Sequence, residues 1–483
     1  MKQKFILIWA LSLFLSACTS GATILNKENI VKNGVTASQD YFDFFDPSIY
    51  HEIVIEVKAK SLDQLDVDMN KVFEKYGNYR ISSYVSANFI YREDGKEKIR
   101  INEVGLRTHG NVFSRYLIQY DGYSMNSLHW RVSFDETFDL KVDSEYYKAR
   151  KKRDLYGLEN LVLKWNRTSV WSKDTTDPYI TESYGYQLYE DAGIPSSKAS
   201  LVHVIFSIDG KEIDQGVMTM IEPVDDEFLQ KRYSKDDQTG NLYKALWQMV
   251  PANMTGTTPL YFGVKKEEQN YFPPYDIKTN EDTNHGSDLR DFIKTYQTKS
   301  DKSLYDYLNE SVNLDEFMKF NAMNYLFGNP DDIRYNANNY YLYFDSSKSP
   351  KLNFLPTDLD KGLGITDWNP DGQEMKSILP LDKYSSNGVV DIVPLLSKTI
   401  LSTYDPFVSA YLETLNQQVT TVFTYPKYLK AYQMAYKLYH EDASRSKTRT
   451  YAKPMGLPDG VRIYYCVQTY KVKNMRMPTT ECQ

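Results

Sequence analysis

Histidine and cysteine are scarce in this chain: six His and three Cys among 483 residues. So few ligands of those types leave little room for a zinc centre or a disulfide-built scaffold, and no two His stand at metal-ligand spacing. Tryptophan is sparse too, at six, against 41 Tyr. An excess of positive charge is also missing. Lys and Arg number 57 against 64 Asp and Glu, a formal net charge of −7, whereas a nucleic-acid partner calls for a basic face. The common phosphate and nucleophile motifs do not occur. Neither Gly95-Lys96 nor Gly210-Lys211 follows a glycine at Walker spacing, and there is no Gly-x-Ser-x-Gly elbow. No Gly-x-Gly-x-x-Gly opens a helix, so a Rossmann site is unsupported. The remaining composition, 41% hydrophobic and 25% charged, is that of a folded globular chain with one large core or two moderate ones.

The N-terminus reads as a leader. Lys2 and Lys4 precede an apolar run from Phe5 to Leu15, too short to span a bilayer of about 30 Å as a helix. Leu15-Ser16-Ala17 before Cys18 resembles a bacterial lipobox, which makes residues 1–17 a lipoprotein signal peptide and Cys18 the lipidated first residue. The expected location is the outer face of a bacterial membrane, the outer membrane where the host has one, with the lipid as the only anchor. Residues 18–45 are polar and rich in small residues, as in a tether. Cys466 and Cys482 remain as a pair in an oxidising compartment. A disulfide between them would close a short loop and contribute about 3 kcal/mol.

Periodicity separates a β-rich first half from a helical C-terminal portion, an α+β chain. Ile53, Ile55 and Val57 alternate with Glu52, Glu56 and Lys58, the pattern of a half-buried strand. Further strands are expected at 80–92, 99–107, 129–140, 161–165, 199–207 and 215–222, with Asp94-Gly95 in a hairpin turn. A helix over 178–192 has Asp177 as N-cap and Pro178 at its first position. Residues 248–290 lack periodicity and read as an insertion or long loop. A helix begins at Asn313 and ends near Gly328; strands at 339–344 and 351–356 and a largely helical 391–440 follow. The main domain spans 46–440, leaving 441–483 as a tail.

The densest polar constellation lies between 328 and 364. Asp331 and Asn336 stand five apart, the spacing of the Asp and Asn in a protein-kinase catalytic loop, where the Asp takes the hydroxyl proton and the Asn holds magnesium. After two apolar strands come Asp358 and Asp360, hard oxygen ligands suited to Mg²⁺ or Mn²⁺. Arg107, Lys164 and Lys244 are candidate phosphate contacts, and Glu222 at a strand end is a candidate partner for such a lysine. Asp367 to Gly372 matches half of an EF-hand loop, but Ile378 stands where the closing Glu belongs, so a plain turn is the better reading.

These segments, in this order, resemble the CotH kinase family, the spore-coat-protein-H-like atypical protein kinases. The resemblance is carried by Leu106-Arg107-Thr108-His109-Gly110-Asn111, Leu163-Lys164-Trp165-Asn166 and Asp191-Ala192-Gly193-Ile194-Pro195. Gly216-Val217 through Ile221-Glu222, Gly240-Asn241-Leu242-Tyr243-Lys244, Gly328-Asn329-Pro330-Asp331, Asn338-Asn339-Tyr340-Tyr341-Leu342-Tyr343 and Pro356-Thr357-Asp358-Leu359-Asp360 complete it. It implies a distant kinase-like fold that uses ATP and a divalent metal to phosphorylate Ser or Thr of a protein acceptor. Asp331 would be the catalytic Asp and Asp358 the metal-binding Asp, with the doubled Asp331-Asp332 leaving the register open by one residue. Two other classes stay open: a surface adhesion protein with a vestigial cleft, and a sugar-nucleotide transferase using Asp358-Leu359-Asp360.

Overall fold

The structure is a computed structural model that describes residues 28–112, 114–166, 175–247, 250–365, 377–383, 393–445 and 453–482. The leader, Cys18 and most of the EF-hand-like turn lie outside the described residues.

Strand β1 (Ile30–Lys32) pairs with β2 (Val35–Ala37), and a helix, Gln39–Phe44, follows. The Ser38 hydroxyl accepts the Tyr41 N–H (3.3 Å), and the helix buries Tyr41, Phe42 and Phe44. The second half of the expected tether is therefore folded: its aromatic residues outweigh its small polar ones.

Seven strands then close into a barrel: β3 (His51–Val57), β4 (Val85–Glu93), β5 (Lys96–His109), β6 (His129–Ser133), β7 (Asn160–Trp165), β8 (Ala199–Ile208) and β9 (Lys211–Ile221). Their order is β3-β4-β5-β6-β7-β9-β8. Asp94-Gly95 is the turn between β4 and β5, as its dipeptide predicts. Neighbours are antiparallel except β3 and β8, whose parallel pairing (Ile53↔Val204, Ile55↔Phe206) closes the ring. Side chains at alternate positions, among them Ile55, Phe89, Leu106, Trp130, Leu163 and Phe206, fill the interior. A helix not expected from the sequence, Ala59–Tyr76, lies between β3 and β4 and buries Leu62, Leu65 and Met69, one stripe at helical spacing.

The opposite face of β7, β8 and β9 carries Val162, Leu201, Val217 and Ile221 into a second core. That core belongs to a five-stranded sheet, ordered β11-β12-β10-β13-β14. Its strands are β10 (Asn241–Ala245), β11 (Phe262–Gly263), β12 (Tyr275–Ile277), β13 (Tyr340–Phe344) and β14 (Leu352–Pro356). The segment read as an insertion supplies β11 and β12, and helices Ser287–Gln297 and Asp301–Ser311 follow it. Helix Leu314–Phe327 is buried along nearly its whole length and ends at Gly328, whose φ of 65° only glycine adopts without strain. Helix Asp405–Thr421 packs along it, helix Tyr425–Arg445 lies against β8 and β9, and helix Asp459–Asn474 touches the C-terminal end of Leu314–Phe327.

The last of these comes from the stretch read as a tail, and it is built into the core. Tyr464, Tyr465 and Val472 are buried there. The Gln468 amide donates to the carbonyls of Tyr325 (2.8 Å) and Leu326 (3.3 Å), and the Tyr464 ring lies against Gly364. Cys466 and Cys482 are joined by a disulfide, with Cα atoms 5.6 Å apart.

One buried histidine ties the barrel to the helical layer. His203 on β8 lies 2.9 Å from Asp214 and 3.0 Å from the Tyr50 hydroxyl, which donates to Asp442 (2.8 Å) on helix Tyr425–Arg445. Burial pulls the imidazole down, but Asp214 and Glu52 outweigh it and raise its pKa to about 9. Protonation of His203 thus contributes stability in full below pH about 6.5, and the contribution is lost as pH rises toward 9, on the order of 3 kcal/mol. Denaturant unfolding of wild type and His203→Gln should differ most near pH 6 and converge above pH about 9.5. A difference independent of pH would contradict the assignment.

Candidate active site

The cleft between barrel and second lobe gathers charged side chains from both. Lys164 alternates with the barrel-filling Leu163 on β7, so its side chain leaves on the outer face. Helix Thr181–Asp191 crosses that face and offers Glu182, whose Oε1 is 2.8 Å from Lys164 Nζ. From the opposite lobe the loop after β14 brings Asp358, hydrogen-bonded to the same ammonium, and Asp360 at 3.3 Å. Burial disfavours the Lys164 charge, but Asp358, Asp360 and Glu182 outweigh it and hold its pKa well above the ordinary value.

Asp358 is fixed by its backbone. It sits at φ 58°, a left-handed conformation costing an Asp about 1 kcal/mol. Its N–H donates to the Tyr186 hydroxyl (3.1 Å), and its carbonyl accepts from the Asn329 amide (3.0 Å). Asn329 also accepts the Asp331 N–H (3.0 Å), so one side chain joins the two aspartate loops.

Asp331 and Asp332, adjacent in sequence, have different surroundings. Asp331 accepts from Asn336 (2.6 Å) and Asn338 (3.3 Å), and its other oxygen pairs with Lys361 (2.9 Å). Asp332 turns inward and caps the short helix Ile333–Asn336, accepting the N–H groups of Arg334 (2.8 Å) and Tyr335 (3.2 Å). Its burial, only partly offset by those bonds, pushes its pKa up to about 8. Asp331 is therefore the carboxylate presented to the cleft.

The donor set suits a divalent cation. Glu182, Asp331, Asp358 and Asp360 face the ammonium groups of Lys164 and Lys361. Burial, with the neighbouring carboxylates adding to it and Lys164 opposing, raises Glu182 to about 8; burial likewise raises Asp360. Both shifts come first from burial, and a hard cation bound among these oxygens would oppose them. Among the described residues no His, Cys, Asp and Glu side chains are already gathered as a cation cage; Lys164 stands between the carboxylates instead.

A family model for CotH kinase protein matches residues 106–456. The chain belongs to the CotH kinase family. No curated protein matches it. The matched span contains Lys164, Glu182, Asp331, Asn336, Asp358 and Asp360, and family membership gives the chain a kinase-like function. The β-rich half followed by helices is as expected; closure of the barrel through β3 and β8 was not foreseen.

Two residues singled out in the sequence lie elsewhere. Arg107 is buried against the Ile81 carbonyl (3.3 Å), the Thr108 carbonyl (3.2 Å) and Glu267 (3.7 Å), because residues 265–272 cross back onto the barrel. Glu222 leaves β9 toward helix Asp226–Arg232 and pairs with Arg232 (2.5 Å), not with Lys164. Lys244, on β10, lies over the Tyr341 ring (5.3 Å). Burial lowers its affinity for a proton, but Tyr341 and Asp358 outweigh that and raise its pKa. Sequence reading passed over Glu182 and Lys361. Glu182 was legible as an acid in the first turn of the helix following the lysine strand, and Lys361 as the neighbour of Asp360.

The division of labour between the two aspartates can be measured. Asp332→Ala should lower the unfolding free energy by about 1–2 kcal/mol through loss of the cap. The isosteric Asp331→Asn keeps an acceptor oxygen for Asn336 and Asn338 and loses only the ion pair with Lys361, so it should change thermal stability less than Asp332→Ala does. The reverse ranking would exchange their roles.

Proposed function

We propose that the protein is a metal-dependent phosphotransferase that moves the terminal phosphate of ATP to a Ser or Thr hydroxyl of an envelope or coat protein. The supporting observation is the convergence on Lys164 of Glu182 from a helix and Asp358 from the loop after a hairpin, with Asp331 and Asn336 alongside. Lysine strand, glutamate helix, catalytic loop, hairpin and metal-binding Asp follow one another in a protein kinase in the same order.

In this reading Lys164 neutralises phosphate oxygens while Glu182 fixes its direction. Asp331 accepts the proton of the acceptor hydroxyl as that oxygen attacks the terminal phosphorus and the bond to the ADP oxygen breaks. Asn336 and Asn338 hold the Asp331 carboxylate, and Lys361 pairs with its other oxygen. Asp358, Asp360 and Asn336 would hold Mg²⁺ or Mn²⁺, which screens the phosphate charge when bound. The leader and Cys18 support work at the outer face of a bacterial membrane. Phosphoryl transfer depends mostly on positioning and charge neutralisation, which these groups supply.

Purified protein given labelled ATP should label itself or an envelope fraction on Ser or Thr only with Mg²⁺ or Mn²⁺. Asp331→Asn should reduce the rate by about 10²–10⁴-fold, and Asp358→Ala should abolish it. Labelling that is unchanged in both variants, or absent from wild type with either metal, would overturn the proposal.

A further inference from the structure

We propose that Gly185 and Tyr186 are positioning residues for Asp358: through them, the helix that carries Glu182 also sets the direction of the metal-binding carboxylate. The inference rests on the phosphotransferase reading and adds to it the groups that keep the metal loop in register with the lysine.

The geometry begins with helical spacing. Glu182, Gly185 and Tyr186 stand at i, i+3 and i+4 of helix Thr181–Asp191 and share one face. Glu182 meets Lys164 (2.8 Å), and one turn further on the Tyr186 hydroxyl accepts the Asp358 N–H (3.1 Å). Between them, Gly185 lets the helix close on both aspartate loops. A Cβ placed there would lie 2.9 Å from the Phe327 ring and 3.1 Å from Leu359 Cβ, nearer than ordinary van der Waals contact. Leu359 follows Asp358 directly, and Phe327 ends the helix that leads into the Asn329 loop. The Phe327 ring also lies against Gly362, where it leaves no room for a side chain, and its carbonyl accepts the Leu363 N–H (2.7 Å). The helix face is thus seated on the residue that supports the loop from 358 to 363.

The direction of a carboxylate ligand follows from its backbone. Asp358 is left-handed, with φ 58°, and is held on both sides: Tyr186 takes its N–H and Asn329 donates to its carbonyl (3.0 Å). Asn329 belongs to the Asp331 loop, whereas Tyr186 belongs to the helix that fixes Lys164. The Asp358 peptide therefore joins the lysine side of the cleft to the base side. Glycine is a weaker helix former than alanine, so its place in the middle of this helix is explained by the close approach. Groups that orient a metal ligand without touching the ion change affinity about 10–100-fold when removed. Tyr189, one turn beyond Tyr186, supplies a contrast: its buried hydroxyl donates to Asn324, inside helix Leu314–Phe327.

Binding of Mn²⁺ to the purified full chain, read from the electron paramagnetic resonance of the free ion, tests the assignment without turnover. Tyr186→Phe should weaken Mn²⁺ by about tenfold or more, and excess metal should restore its rate of phosphate transfer. Gly185→Ala should weaken Mn²⁺ likewise, although alanine favours the helix. Tyr189→Phe, which also deletes a buried hydroxyl from this helix, should bind Mn²⁺ as wild type does and melt at about the temperature of Tyr186→Phe. Wild-type Mn²⁺ affinity in Tyr186→Phe or Gly185→Ala would overturn the positioning role, as would an equal loss in Tyr189→Phe or a rate that excess metal cannot restore. Each of these leaves the phosphotransferase reading standing. Wild type that binds no Mn²⁺, with or without ADP, would overturn both.

Discussion

The ammonium group of Lys164 sets the constraint on which the site depends. A charge taken out of water costs several kcal/mol unless oppositely charged groups meet it closely. Here the acids that meet it come from two separate parts of the fold: Glu182 from the helix packed on the barrel, Asp358 and Asp360 from the far lobe. The lysine thus makes the approach of the two lobes an electrostatic requirement as well as a matter of packing.

Around that contact, the polar groups that hold the site are distinct from those that face the cleft. Asn329 and Tyr186 grip the peptide of Asp358 in its left-handed conformation, and Asp332 caps the short helix beneath Asp331. The residues after β11 act as a strap: Glu267 holds Arg115, Glu268 accepts the Ser82 N–H (2.5 Å), and Asn270 accepts from Asn78 (3.0 Å). A buried pair such as Arg115–Glu267 contributes little net stability, but removing one partner costs about 3–5 kcal/mol. Such a pair enforces a particular arrangement of the lobes more than it stabilises the fold.

Much of this was legible in the sequence, and the exceptions have physical reasons. Alternation exposed β3, the dipeptide Asp94-Gly95 marked the turn between β4 and β5, and the five-residue spacing of Asp331 and Asn336 pointed to the loop that carries them. Helix Ala59–Tyr76 was overlooked because it buries only a narrow stripe of Leu62, Leu65 and Met69 in an otherwise polar run. Helix Thr181–Asp191 begins three residues later than its proline suggests, since Asp177 accepts the Tyr179 N–H (2.7 Å) in a turn before it. Glu222 was the wrong partner for Lys164 because strand ends do not report which neighbour a side chain will reach. Barrel closure depends on the parallel pairing of β3 with β8, far apart in sequence, which no local pattern reveals. The tyrosine excess is mostly structural: Tyr189, Tyr243, Tyr275, Tyr325, Tyr340 and Tyr343 are almost wholly buried.

The helix Asp459–Asn474 has a bearing on the order in which the enzyme is completed. Its Gln468 holds the carbonyls of Tyr325 and Leu326 just before the Asp331 loop, and its Tyr464 backs Gly364 just after Asp360. A chain is made from its N-terminus, so both aspartate loops exist long before the segment that braces them leaves the ribosome. The barrel can form early from its own strands, whereas the cleft waits for helix Asp459–Asn474, far downstream of the Asp360 loop. A nascent chain not yet extended through Asn474 would thus carry the lysine and the aspartates without the support that aligns them, which delays competence until that helix has emerged.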